Sequence, residues 1–367
     1  VPIDDPKAQF SEEVVLGSSG NVYASRQNLY VAEDQYPWFY GWEPQNARKE
    51  ETIVHKFNLG RTDVKYFGKG NVPGHILNQF SMDEYKGNFR IATTLGEVWD
   101  TESLSQNNLY VLDENLKQVG SILGIAPGEK IYSVRFMGDR AYMVTFKKVD
   151  PFFVIDVSSP TNPQILGKLK IPGYSDYLHP FDENHIIGFG KEAIDASEEE
   201  VGARDLDFAW YQGMKVAMFD VTDVNNPVEL HKIVIGDRGT ESELLYDHKA
   251  LMFDKEKGLM AFPVSLAEIP ESVKNDPNSP DNAYGDHVYQ GAYVYGVSVG
   301  GGFQFKGKIT HYANNEVENL SGYYWYGDKD INRILYIGNY LYTVSKAVVK
   351  ANNLGDLVEV KSVELGK

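Results

Sequence analysis

The chain of 367 residues contains no cysteine, which excludes disulfides, thiolate metal sites and cysteine nucleophiles. That absence leaves the compartment open. No apolar run approaches the roughly 20 residues that span a bilayer, and no basic amphipathic stretch suits lying on one, so membrane insertion is not expected. Positive charge is short: 35 Lys and Arg stand against 52 Asp and Glu, a formal net charge of −17. The cations are also scattered, which excludes a general nucleic-acid-binding surface. Helical spacing of apolar residues is missing from nearly every window of a dozen; Lys191 to Phe208 and Ser265 to Lys274 are the best candidates for a short loop helix. A chain that starts at Val1 reads as processed or trimmed, with any signal peptide outside it.

What the chain has is aromatic strands. Its 24 Tyr and 18 Phe sit in short runs with Val, Ile and Thr, bounded by Gly, Asn, Asp and Pro, as in Ala141 to Phe146 (AYMVTF), Met214 to Val221 (MKVAMFDV) and Tyr340 to Val344 (YLYTV). The runs repeat. Asp156-Val157, six residues before Asn162-Pro163, reappears as Asp220-Val221 before Asn226-Pro227, each copy between two apolar strands. Pro removes a ladder donor and Asn and Asp satisfy local backbone groups, so the motif predicts a tight turn between antiparallel strands. A second signature, strand, Gly with Asp or Asn, strand, matches Arg135 to Tyr142 with Leu335 to Tyr342.

Together these elements define six units of four strands, starting near Gly20, His75, Lys130, Ser175, Glu243 and Ile331. Over 367 residues they average about 61 each, against roughly 40 to 50 for compact blades. The excess falls in five insertions: Asp34 to Lys49, Leu95 to Asn107, Lys191 to Gly213, Leu266 to Gln290 and Tyr312 to Asp330. The pattern predicts an all-β chain, a single β-propeller domain over residues 1–367 with four-stranded antiparallel blades. About 24 strands repeating one signature are too many for a two-sheet sandwich. Ser11 to Leu16 resembles the last strand of a unit, and the segment 1–19 is expected to close the ring against the C-terminal blade; six blades are preferred, with seven open.

The run Val134 to Gly190, with VRFMGDRAYMVTF, KKVDPFFVIDVSSPTNPQILGKLKIPG and YSDYLHPF, closely resembles secreted bacterial and archaeal proteins carrying a C-terminal beta-propeller domain distantly related to WD-40 repeats. Asn78 to Thr94 and Tyr246 to Val264 share that resemblance, which extends from about Gly20 to the C-terminus. It implies a propeller fold and an extracellular or cell-surface location. It implies no chemistry.

Candidate sites are therefore read from the residues. Eight histidines show no His-Glu-x-x-His spacing. His179 and His248 fall in the expected first strands of neighbouring units, with Asp176 and Asp247 close by in sequence, so a metal-dependent hydrolase or lyase at a channel mouth is one hypothesis. Packing against a carboxylate is the structural alternative. Acidic loops offer oxygen ligands to calcium: Asp195, Glu198, Asp205 and Asp207 in one, Asp281 and Asp286 in a second, Asp328 and Asp330 in a third, none with an EF-hand pattern. Solvated loops would look the same. Two insertions carry aromatic clusters, Tyr40 with Trp38 and Trp42, and Tyr324 with Trp325. Exposed, these would stack on sugars or fill pockets on a protein partner; folded back, they would be core. Gly296-Val297-Ser298-Val299-Gly300 matches a nucleophile elbow and Gly302 to Lys308 a phosphate loop, yet both lie in apolar strand sequence and predict a plain hairpin at Gly300 to Gly302. The preferred function is a secreted, acidic, WD40-like binding scaffold for a protein or polysaccharide.

Overall fold

The computed structural model describes residues 12–14, 20–35, 50–98, 104–146, 149–196, 209–276, 279–313 and 327–366, with the backbone alone at 149 and 150. Among them are six four-stranded antiparallel sheets, each a simple meander. The first comprises β1 (Asn21–Ala24), β2 (Asn28–Gln35), β3 (Glu51–Leu59) and β4 (Val64–Pro73). The second has β5 (Met82–Tyr85), β6 (Asn88–Leu95), β7 (Gln106–Leu112) and β8 (Gln118–Ile125); the third β9 (Lys130–Met137), β10 (Arg140–Phe146), β11 (Val149–Asp156) and β12 (Gln164–Pro172). The fourth has β13 (Tyr174–Pro180), β14 (His185–Asp195), β15 (Ala209–Asp220) and β16 (Val228–Ile235). The fifth has β17 (Met252–Asp254), β18 (Leu259–Glu268), β19 (Asp286–Ser298) and β20 (Gly302–Ile309), and the sixth β21 (Arg333–Ile337), β22 (Tyr340–Val344), β23 (Val348–Asn353) and β24 (Glu359–Glu364). These are the blades of a β-propeller; four sheets start where the repeats predict, while β5 and β17 start well after His75 and Glu243.

Two compact units divide the chain: Val1–Lys147 with Pro151–Lys168, and Lys148–Asp150 with Leu169–Lys367. Within the first, Tyr30, Val54 and Val72 of one sheet interleave with Phe89, Ile91 and Tyr110 of the next, and Tyr30 stacks on Phe89 at 4.3 Å. Within the second, Met252, Ala261 and Val294 meet Ile334 and Leu341, while Phe189 and Phe262 make an edge contact at 5.7 Å. Sheet buries against sheet through inner strands such as β6, β10, β15 and β19, whose consecutive residues are buried on both faces, while the outermost β24 is exposed throughout.

The predicted turns form as their chemistry dictates. Asp156 Oδ1 accepts the Ser158 N–H at 2.8 Å and Asp220 Oδ1 that of Thr222 at 2.7 Å, so both Asn-Pro copies start with an Asx turn. Asp113 and Asn353 do the same after β7 and β23 without the Pro. Met137 pairs with Arg140 and Ile337 with Tyr340, leaving Gly138 and Gly338 at φ +57° and +59°, left-handed values that suit glycine in a two-residue hairpin. Gly300 and Gly301 turn between β19 and β20, with Ser298 the last residue of β19 paired to Gly302, the first of β20, a plain hairpin.

Two expectations are corrected. The insertions are partly strand: β14 runs on to Asp195 and β15 starts at Ala209, while β18 reaches Glu268 and β19 starts at Asp286. Lys191 to Asp195 is therefore not helical; the second candidate holds one short helix, Glu271–Lys274. Of Ser11 to Leu16, residues 12–14 lie outside every strand, and the remainder falls outside the described residues.

Meander topology sorts the connections. In each sheet the links between strands one and two and between three and four leave one end, the turn end, and the two-to-three link leaves the other, with strand four exiting there too. All five insertions leave that second, loop end of their own sheets: four are two-to-three links and the fifth, after β20, is an exit.

Candidate functional site

Of the predicted catalytic residues, His179 lies on β13 and His248 does not lie on a strand: it opens the 3-10 turn His248–Ala250 before β17. Asp247 caps that turn, accepting the Lys249 N–H at 3.0 Å, because an Asx side chain there replaces the missing backbone acceptor. The structure does bring both histidines to one aromatic residue. Tyr177 is buried, with its ring centre 5.9 Å from that of His179 and 6.0 Å from that of His248. Tyr177 Oη hydrogen-bonds His179 Nδ1 at 3.1 Å, and the His179 imidazole meets the Phe253 ring at 4.5 Å, edge to face. Asp247 pairs with Arg333 of β21. Partial burial pushes its carboxyl up, but the Lys249 N–H and the Arg333 guanidinium hold it below the usual carboxylate range. His248 Nδ1 is 4.0 Å from Asp247. Asp176 sits at a bulge, where the β13–β14 register shifts between Ser175 and Tyr177.

The result is a half-buried row of Tyr177 and His179 on β13, Asp247 and His248 at the 3-10 turn before β17, and Arg333 on β21. Both imidazoles pack on aromatic rings, and Asp247, 4.0 Å from His248, pairs with Arg333. Among the described residues no group of three or more His, Asp and Glu is placed to hold a metal ion. Other histidines bond residues distant in the chain: His231 the Val299 carbonyl at 2.7 Å, and His311 Thr343 Oγ1 and Ser345 Oγ at 2.9 and 3.0 Å.

The acidic candidates separate. Asp195, Asp281 and Asp286 are exposed, while Glu198, Asp205 and Asp207 lie outside the described residues. In the third group Asp330 is a turn organiser, accepting from Tyr312 Oη at 2.7 Å and from the Gly327 N–H at 2.9 Å. Burial pushes its carboxyl up. The aromatic candidates Trp38, Tyr40, Trp42, Tyr324 and Trp325 also lie outside the described residues, on the β2–β3 and β20–β21 connections.

The first unit contains a cavity of about 250 Å³ among the first strands of its three sheets, lined by Tyr23, Gln79, Phe80, Asp83 and Arg135. The Arg135 guanidinium lies 4.2 Å from the Phe80 ring centre, and Asp83 pairs with the buried Arg90. At the loop end of the same unit, Glu50 bonds His75 Nδ1 at 2.6 Å and the Gly96 N–H at 2.8 Å. Partial burial pushes the Glu50 carboxyl up, and these two donors bring it below its ordinary value. One carboxylate thus ties the end of the β2–β3 connection to the second sheet.

Sequence reading missed the buried cations. Lys215 is fully buried and donates to the Pro172 carbonyl at 2.7 Å; Lys56 donates to that of Glu114 at 2.8 Å; Lys191 pairs with Glu241 at 2.8 Å. A lone Lys inside an apolar strand, as in GMKVAMF, was the available signal, since a charge is buried only with a partner.

Known proteins show similarity over most of the chain. An uncharacterized protein of Methanocaldococcus jannaschii is 35% identical over 315 residues, 86% of this chain, and one of Archaeoglobus fulgidus is 38% identical over 238 residues, 65% of it. The aligned regions span 40% and 34% of those relatives' own lengths. Among solved structures, the Neurospora crassa Pan2 WD40 domain is similar at 8% identity with a TM-score of 0.44, covering 92% of this chain and 76% of that one. The model of the Beta propeller domain matches residues 1–357, and the chain belongs to that family.

Proposed function

We propose that the protein is a rigid binding scaffold that presents its long loops to a protein or polysaccharide at or outside the cell surface. One observation carries this reading: every long insertion leaves the loop end of its sheet, while the opposite end is closed by short turns. Catalytic and binding residues concentrate on loops that a rigid framework positions. Asx turns tie the turn ends of the sheets, and in sequence the two aromatic runs fall on the β2–β3 and β20–β21 connections. The extracellular setting rests on the resemblance to secreted propeller proteins.

The test compares the intact chain with a W38A/W42A/W325A variant and with Glu114→Ala, an exposed turn-end change, for binding to purified polysaccharides and to a cell-envelope fraction. Binding that falls at least tenfold in the aromatic variant and is unchanged in Glu114→Ala supports the scaffold. Hydrolysis or elimination that needs added zinc or calcium and is lost in His179→Ala and His248→Ala would replace it with a metalloenzyme.

A further inference from the structure

We propose that the loop end of the fourth and fifth sheets is a platform for a neutral polysaccharide, built from Trp210, Tyr211 and Tyr284 around Arg238. The proposal rests on the scaffold reading above and names a ligand class and a place for it. The residues come from three separate stretches: Trp210 and Tyr211 open β15, Arg238 follows β16, and Tyr284 precedes β19. The topology delivers all three to the same end of their sheets.

Arg238 organises them. Its guanidinium carbon lies 4.8 Å from the Trp210 ring centre and 4.4 Å from that of Tyr284. Nη1 donates to the Tyr211 carbonyl and Nη2 to Tyr284 Oη, each at 3.2 Å. Its Nε is buried without an acceptor. An unpaired buried donor costs on the order of 1–3 kcal/mol, so the arrangement is poor for stability alone and favours a role in fixing the rings. The backbone beneath is tied as well. The Gly285 N–H donates to the Arg238 carbonyl at 2.8 Å, Gln212 Nε2 to the Asp281 carbonyl at 3.2 Å, and the Tyr211 ring meets buried Tyr174 edge to face at 5.1 Å.

The rings are held yet remain open. Tyr284 is 52% exposed and Tyr211 40%, and Ile194, the strand partner of Trp210, is 40% exposed. Rigid tyrosines offer a large amphipathic surface with little entropy left to lose on binding, and the C–H face of a pyranose suits such a surface. Exposed Asp281 and Asp286 flank Tyr284 in the chain and can accept bonds from sugar hydroxyls. With a net charge of −17, the protein repels an anionic chain, which selects a neutral one. A protein hot spot would call for a desolvated apolar pocket; these phenols and carboxylates at the rim fit a hydroxyl-rich ligand better.

The experiment is affinity electrophoresis of the intact chain through soluble β-1,3-glucan, mannan and xylan, with dextran sulfate as the anionic control, backed by tryptophan fluorescence titration. We expect at least one neutral polysaccharide to retard the wild type, dextran sulfate not to, and a Tyr211→Ala/Tyr284→Ala variant to lose affinity at least tenfold with little change in Tm. Arg238→Lys, which keeps the charge but loses the planar stack, is expected to weaken binding severalfold. Neutral-polysaccharide binding that survives the double substitution but is lost in W38A/W42A/W325A would overturn the platform and leave the scaffold standing, as would binding confined to a protein ligand. Loss of the scaffold reading has a different signature: metal-dependent hydrolysis or elimination that needs His179 and His248.

Discussion

Lys215, wholly buried on β15, donates its Nζ to the Pro172 carbonyl at 2.7 Å. Burial pushes the nearby Glu229 carboxyl up, and the Lys215 charge restrains that rise. Lys215→Met removes a donor from one group and a counter-charge from another. We expect a loss of about 1–3 kcal/mol in urea unfolding with an unchanged m-value, because the half-buried Glu229 carboxylate loses its counter-charge and the Pro172 carbonyl its donor.

The two Asx turns give a test of local autonomy. Asp156→Ala and Asp220→Ala each remove a side-chain acceptor from one turn-end N–H. Each is expected to cost about 1 kcal/mol, as the loss of a comparable helix N-cap does. The double variant should lose the sum within about 0.5 kcal/mol, because each turn bonds within its own sheet. Equilibrium unfolding of all three variants checks this.

Glycine substitutions should separate sharply by position. A Cβ on Gly190 would stand 1.9 Å from the Tyr174 carbonyl oxygen, whereas one on Gly300 meets nothing within 4 Å. Gly190→Ala forces the β13–β14 ladder apart and is expected to lower Tm strongly; Gly300→Ala is expected to leave it nearly unchanged. Melting curves of the two variants decide it.

His311 predicts a pH dependence. Burial, helped by the Lys350 charge, lowers its pKa to about 4 from an ordinary 6.5. The folded protein therefore holds the imidazole neutral where the unfolded chain would protonate it, so stability falls as pH drops from about 6.5 to about 4. The shift corresponds to on the order of 3 kcal/mol. His311→Gln should flatten the stability curve over that window, measured by urea unfolding from pH 7 to 4.

Much of the fold was legible in the chain. Asp-Val to Asn-Pro turns, strand-Gly-Asp-strand hairpins and the turn at Gly300 to Gly302 use chemistry confined to a few neighbouring residues, and the structure forms each as read. The candidate sites were legible only as residue types. His248 looked like a strand residue because YDHK sits at the start of a repeat, yet Asp247 caps a 3-10 turn there. Asp330 looked like one of a pair of free carboxylates, yet Tyr312 and the Gly327 N–H engage it.

The sequence by itself determined the four-strand repeat, many of the places where strands turn and the links that grew long, because alternation, turn residues and repeats act over short separations in the chain. Only the tertiary structure decided that Tyr177 separates two imidazoles, that Asp247 belongs to Arg333 and that Arg238 lies between Trp210 and Tyr284. Those residues are up to 86 positions apart, and such contacts depend on how neighbouring sheets bury their faces against one another, which no local pattern encodes.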